Sequence, residues 1–419
     1  MLKFIRRTGL FFITFSSLCF FCQPGHAACQ DYSSLIKNGG YGIADRSGHV
    51  VDGCNLDTAY IPASLVKIIT ALAAFKILGP TYQFTTAFYL DDNQVLYIKG
   101  YGDPLLLSED VRRIAVRLII QQVEHIRGLF IDNSQYALDG VPPGSCNSSN
   151  AYDAPVAATS VNFNSLPLRV DSRGRVFSSE SQTPWLPFMK EIGKGRKPGT
   201  HRVNICVGGC QPQTAAARYT SELFLAIFKK EGITVSGESG VRPVPVTAKR
   251  IFVYRNPRPL EEIVKNMLHY SSNFIANQLF LACGAKRFGY PATWEKSATA
   301  IQQVLQEALG GDTSDAAVIV DGAGLSRQNR MSVRSMLKIL KVFTPYKLLL
   351  RKYRGVLVKT GTLQGVYNYA GYFSNGNPYV IFLNQPGNNR APLLDWLKRG
   401  HLEKKLFSQG PVTNKTNSN

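Results

Sequence analysis

Between Pro62 and Gly79-Pro80 the apolar positions leave almost no polar face. Leu65, Val66, Ile68, Ile69, Leu72, Phe75, Ile77 and Leu78 occupy nearly every side of a 3.6-residue period, and alanines fill the gaps. A segment apolar all round is a core helix, here of about four turns, opened at Pro62 and stopped at Gly79-Pro80. Upstream, 41–46 and 49–53 read as paired strands around a Ser47-Gly48 turn. Beyond Pro80 the period shortens to two, giving strands over 84–90 and 95–99 about Asp91-Asp92-Asn93. Helical spacing returns over 111–125, with Val111, Ile114, Ala115, Leu118 and Ile119 on one face, and 128–132 is again a strand. Residues 139–150 form a Gly/Pro/Ser/Asn loop. Short strands and one helix, 216–231, fill 151–257.

From Pro259 the texture is helical. Leu260, Ile263, Val264, Met267 and Leu268 recur in alternating steps of three and one, so the same buried face continues to Ser271. Ser271-Ser272-Asn273 reads as the join to a second apolar helix over 274–282, and further helices fall at 294–309 and 332–342. Strands follow over 356–362, 366–374 and 379–384, the last two joined at Asn375-Gly376, and a helix over 393–407 closes the chain. This order predicts an α+β fold in which helices cluster on an antiparallel sheet and a strand-rich insertion follows the first helix. The expected division is a main domain from 29–80 and 258–408, an inserted strand-rich domain from 81–100 and 151–257, a second insertion nested at 101–150, and a polar tail at 409–419.

Composition changes the picture at the N-terminus and in the charge. Lys3, Arg6 and Arg7 precede an apolar run from Leu10 to Phe21, and small residues follow at Gly25, Ala27 and Ala28. This is a secretory signal over 1–28, too short to span a bilayer, and it predicts export to the periplasm. Of the eight cysteines, Cys19 and Cys22 lie in the signal. An exported chain can oxidise the rest. Cys206 with Cys210 and Cys29 with Cys54 are candidate pairs, whereas Cys283 sits in an apolar helical run and reads as a buried thiol. The net charge of +20, with basic stretches at 194–197, 347–354 and 398–405, suits an acidic wall polymer or anionic membrane surface met peripherally, or equally a plain solubilising surface. Nucleic acid is excluded by the export signal and the lack of any nucleic-acid motif. No Cys/His cluster has metal-ligand spacing, so neither metal nor cofactor is expected.

Three short motifs carry chemistry. Ser64 and Lys67 stand three apart on the first turn of the apolar helix, hence on one face. Burial and the positive helix end both disfavour a charged lysine there, and a neutral amine can take the proton of a serine hydroxyl. The same spacing recurs at Ser34/Lys37 and Ser335/Lys338, so it is not decisive alone. Ser271-x-Asn273 joins two buried helices, where polar side chains need partners; Ser145/Asn147, Ser148/Asn150 and Ser160/Asn162 share its spacing. Lys359-Thr360-Gly361 occurs once. It places a cation and a glycine on a strand, where glycine permits close backbone approach and an exposed edge accepts an extended peptide.

In this order the three motifs are the signature of penicillin-interacting serine enzymes. The chain resembles the class C low-molecular-mass penicillin-binding proteins, the D-alanyl-D-alanine carboxypeptidase/endopeptidases, over about residues 40–385. Supporting segments are Gly102-Asp103-Pro104-Leu105, Ala154-Pro155-Val156, Val161-Asn162-Phe163-Asn164, Asp321 to Arg327, and Lys359 to Gly365. The long separation of Ser64 from Ser271 fits that class and not the class A β-lactamases. Ser272 stands where the family often has aspartate. The resemblance implies the penicillin-binding, serine β-lactamase-like transpeptidase fold. It implies Ser64 as nucleophile, Lys67 as base, Ser271 and Lys359 as proton relay, and Asn273 as the group orienting the substrate amide. Thr360, Gly361 and Thr362 line the carboxylate subsite, and Gln364, Arg327 and Asp132 contact the peptide stem. The implied partners are peptidoglycan stem peptides and β-lactams. Rival readings are a β-lactamase or esterase with the same acylation chemistry, and an inactive wall-binding protein.

Overall fold

The computed structural model describes residues 32–208, 210–310 and 317–408. The expected signal segment, Cys29 and the polar tail lie outside the described residues. Among the described residues no helix is long and apolar enough to cross a membrane.

The main body is built on one six-stranded sheet in the order Arg351–Tyr353, Val356–Leu363, Val366–Tyr372, Pro378–Leu383, Gly39–Ala44, Val50–Cys54. Every neighbouring pair is antiparallel, as expected. Side chains alternate across a strand, and both faces are covered. Ala370, Tyr372, Val380 and Phe382 enter the large helical core. Tyr369, Tyr379, Ile381 and Leu383 meet Leu393, Leu394 and Leu397 of the last helix, Arg390–Ser408. The helical core is made by the serine-bearing helix, by Leu260–Tyr270, Asn273–Phe288 and Trp294–Leu309, and by Val333–Phe343.

The serine-bearing helix runs the length its pattern predicts but is not uniform. It opens as a 3-10 turn, Ala63–Leu65, becomes α-helical over Val66–Ala73, and ends as a π turn, Ala74–Leu78, before Gly79. All eight residues of its α-helical stretch are buried, Lys67 included. Ser272 explains itself: its hydroxyl accepts from Ile275 N–H at 3.2 Å and caps the helix that Asn273 begins.

The inserted region departs from the expected nesting. Gly128–Asp132, expected in a second insertion, lies between Ser239–Val241 and Val95–Gly100 in a five-stranded sheet that continues with Thr85–Leu90 and Lys249–Arg255. It pairs in parallel with Val95–Gly100 through the helix Ser108–Ile120, a strand–helix–strand unit. One core joins Leu96, Ile98, Val111, Ile114, Leu129 and Ile131 to Leu166, Leu168 and Val203 of a smaller three-stranded sheet. Residues 106–131 therefore share one core with the strands on either side of them. The tight pair Cys206–Cys210 is a disulfide, and Cys54 is also disulfide-bonded. Cys283 is a buried free thiol, its pKa pushed up to about 12 by burial.

Candidate active site

The start of the serine-bearing helix is fastened to the sheet before any catalytic group is considered. Asn368 Nδ2 donates to the carbonyls of Ile61 and Pro62 at 2.9 and 3.0 Å, and Asn384 Oδ1 accepts from Ile61 N–H at 2.7 Å. The Lys-Thr-Gly strand passes so close that a Cβ on Gly361 would meet the Pro62 carbonyl at 2.6 Å. Ala63, immediately before Ser64, has φ +49, in the left-handed region that side-chain-bearing residues rarely adopt. Ser64 is thus held on a strained, doubly anchored turn.

Lys67 is fully buried. Its Nζ lies 2.9 Å from Ser64 Oγ, 2.8 Å from Asn273 Oδ1 and 2.6 Å from the Ala323 carbonyl. Its pKa is pulled well below the usual lysine value, by burial first and then by the charge of Lys359, against a smaller opposing effect of Asp321. A neutral amine has two N–H groups and one lone pair. Asn273 and Ala323 are pure acceptors that take both N–H groups, which turns the lone pair towards the Ser64 hydroxyl. That is the geometry of a general base on a nucleophile.

The Ala323 carbonyl had no signal in the chain, since any residue supplies one. Its placement comes from Asp321, which is buried and accepts from the N–H groups of Ala323, Leu325 and Ser326 and from Asn329 Nδ2. The Asp321 to Arg327 segment could be read as a motif, but not as the support of the base. Thr70 Oγ1 closes the arrangement by donating to the Gly322 carbonyl at 2.7 Å.

The second motif meets the third. Ser271 ends its helix in a left-handed conformation, φ +52, which turns its hydroxyl out of the helix to Lys359 Nζ at 2.9 Å. Lys359 also donates to the Thr360 carbonyl at 2.9 Å and is 2% exposed. Burial, then the charges of Arg390 and Arg351, bring its pKa down to about 7. Asn273 reaches the inserted region as well, its Nδ2 donating to the Tyr152 carbonyl at 2.9 Å. Thr360 and Thr362 are exposed while Gly361 is buried. The neighbouring edge strand pairs only with Val356, Leu357 and Val358, so it stops short of the motif.

Of the expected stem contacts, two come together and one does not. The Arg327 guanidinium donates to the Gln364 carbonyl, at the turn that follows the Lys-Thr-Gly strand. Asp132 is spent inside the inserted region. Its side chain is enclosed, pairs with Lys99 at 3.2 Å, and accepts from Ser134 and Val244 N–H at 2.8 and 3.0 Å. Burial would raise its pKa, but those hydrogen bonds and Lys99 outweigh it and hold the carboxyl below its ordinary value. Both carboxylate oxygens are thus engaged within the inserted region, and the side chain is 1% exposed. Two of the competing motif copies are engaged elsewhere: Ser335 with the capping hydroxyl of Ser332, and Ser160 with the Ala157 carbonyl.

A family profile described as the D-Ala-D-Ala carboxypeptidase 3 (S13) family matches residues 31–185 and 207–353. The chain belongs to this family. Membership makes it a serine hydrolase of the D-Ala-D-Ala carboxypeptidase type. The match includes the first two motifs and stops before Lys359, so the third is supplied by the fold. A D-alanyl-D-alanine carboxypeptidase of Haemophilus influenzae is 23% identical over 84% of this chain and 87% of its own. The crystal structure of penicillin binding protein 4 from the same organism superposes with a TM-score of 0.74, at 22% identity, over 90% of this chain and 99% of that one. A predatory peptidoglycan endopeptidase from Bdellovibrio bacteriovorus gives a TM-score of 0.51 at 14% identity over 92% and 96%. These likenesses establish the penicillin-binding serine peptidase fold expected for this S13 chain.

Proposed function

We propose that this S13 enzyme is exported to the periplasm and cleaves peptidoglycan stem peptides through an acyl-enzyme on Ser64, as carboxypeptidase, as endopeptidase, or as both. The observation that carries this reading is the Lys67 amine, buried, held by two acceptors and 2.9 Å from Ser64 Oγ. Lys67 takes the Ser64 proton as Oγ bonds to the carbonyl carbon before the terminal D-alanine or a D-centred cross-link. The N–H groups of Ser64 and Thr362 stabilise the oxyanion. Ser271, hydrogen-bonded to Lys359, relays a proton to the departing amine as the C–N bond breaks. Asn273 orients the substrate amide, and Lys359, Thr360 and Thr362 receive its terminal carboxylate. Water then releases the acyl group and restores the Ser64 proton. β-Lactams acylate the same hydroxyl and leave slowly.

Intact-protein mass after benzylpenicillin treatment, beside Ser64→Ala, tests the reading. A stable one-to-one adduct absent from the variant is the expected result. Penicillin consumed without an adduct would put a β-lactamase in its place, and unreacted penicillin would leave only wall binding. Digestion of pentapeptide and cross-linked wall fragments then apportions the two peptidase activities.

A further inference from the structure

The Lys-Thr-Gly edge carries more positive charge than the acylation chemistry uses. Arg390, the first residue of the last helix, is delivered there by the connection from Gln385 to Asn389. Gln385 Oε1 accepts from Lys37 and Asn38 N–H at 2.7 and 3.1 Å, and Asn389 Nδ2 donates to the Leu35 carbonyl at 3.0 Å. The guanidinium then lies over the Tyr369 ring, 4.7 Å from its centre. Its Nη1 donates to the Gly361 carbonyl at 3.0 Å and to Thr362 Oγ1 at 2.7 Å. Arg351 stands on the adjoining edge strand, opposite Val358. Among the described residues no ion pair engages Arg390, Arg351 or Lys359, whereas Arg202, Arg218, Arg258 and Arg334 all have carboxylate partners.

Three cations converging without a counter-ion make a field suited to an anion. The Thr362 hydroxyl says where that anion sits. It accepts from Arg390, so its own hydrogen remains to be donated, and Thr362 is exposed on the strand edge. We propose that Arg390 is a specificity-determining residue: it selects substrates with a free terminal carboxylate, by supplying a permanent positive charge at this edge and by setting the Thr362 hydroxyl as donor to the carboxylate. This rests on the peptidase reading of the site. Lys359 cannot fill the role alone. It faces Arg390, Arg351 and Lys67 and no paired acid, and its charge is lost near neutrality. A guanidinium keeps its charge throughout.

The test uses the mature chain, Arg390→Met and Arg390→Lys. Met keeps an apolar stem over Tyr369 and removes only the charge. Two matched pairs are compared: benzylpenicillin with its methyl ester, read as acylation rate by intact mass, and a peptide ending in D-Ala-D-Ala with its C-terminal amide, read as kcat/KM. In Arg390→Met the acid of each pair should slow by about tenfold or more, the loss of one charge-assisted contact. The ester and amide should be unchanged, and Arg390→Lys should recover part of the loss. An equal fall in both members of a pair means a structural role and overturns the proposal, as does no change in either. Failure of wild type to cleave the peptide would sink the peptidase reading, while the penicillin pair would still decide the role of Arg390.

Discussion

Two sites in this molecule treat buried charge in opposite ways. At Asp110, in the inserted region, a buried acid is compensated. Asp110 accepts from Leu107 N–H, pairs with Arg113 and Arg258 at 2.7 and 2.8 Å, and accepts from the Tyr254 hydroxyl at 2.7 Å. Asp132 is closed off in the same manner. Around Ser64, by contrast, two lysines are buried with no carboxylate in contact, and their partners are carbonyls, an amide oxygen and serine hydroxyls. Compensation makes a charge structural and silent. Its absence leaves lysines that lose their proton readily, which is what a base and a proton relay require.

The sharpest way to break this contrast is to replace Lys67. Lys67→Met should reduce penicillin acylation by roughly a thousandfold or more, the scale of a lost general base and its alignment, while the melting temperature holds or rises because a desolvated amine has gone. A collapse of stability instead would show that Lys67 is structural. The mirror experiment is Asp110→Ala. It leaves two arginines and a tyrosine facing an empty acceptor site and should cost about 3–5 kcal/mol, read by denaturant unfolding, with the acylation rate of the folded fraction unchanged. Asp132→Asn should cost less, about 1–3 kcal/mol, and should not alter the preference between stem peptides. A selective loss for one stem would make it a substrate contact.

A milder probe is pH. Lys359 folded titrates near 7 and unfolded near the ordinary lysine value of 10.5. Between these the unfolded chain binds more protons, so stability rises with pH across that window. The contribution is up to about 1.4 kcal/mol per pH unit. Lys67 acts in the same direction. Lys359→Met should therefore flatten the melting temperature between pH 7 and 10 relative to wild type; parallel curves would mean that Lys359 is not shifted. The smallest effect expected is that of Ser272→Ala, about 1 kcal/mol for a lost helix cap, without change in acylation.

What could be read from the chain follows the same line. Ser64 and Lys67 were legible because helical spacing forces them onto one face, and Ser271 because the apolar stripe from Leu260 to Leu268 runs straight to it. The Lys-Thr-Gly strand was legible as a cation and a glycine interrupting apolar alternation. The engagement of Asp132 was not legible, because its partners, Lys99 and the Val244 N–H, are reached by a parallel pairing and by the far end of the insertion, and no local pattern encodes either. The return of Gly128–Asp132 to Val95–Gly100 is hidden from the sequence for the same reason. The Ala323 carbonyl and the Arg390 guanidinium were invisible for different reasons. Backbone groups carry no residue signature, and Arg390 lies ahead of the helix expected from 393, in no motif.

The position of Gly39–Ala44 has a consequence for when the site is assembled during folding. That strand, the first among the described residues, finds its neighbour at Pro378–Leu383, and Ile61 close to Ser64 is tied to Asn368 and Asn384. A growing or threading chain holds Ser64 from early on, yet nothing to brace it against until the final strands have appeared. Lys359 arrives equally late. Competence to cut is therefore acquired only at the end of assembly. A chain cut short between Lys67 and its last strand carries Ser64 and Lys67 but lacks the frame that holds them.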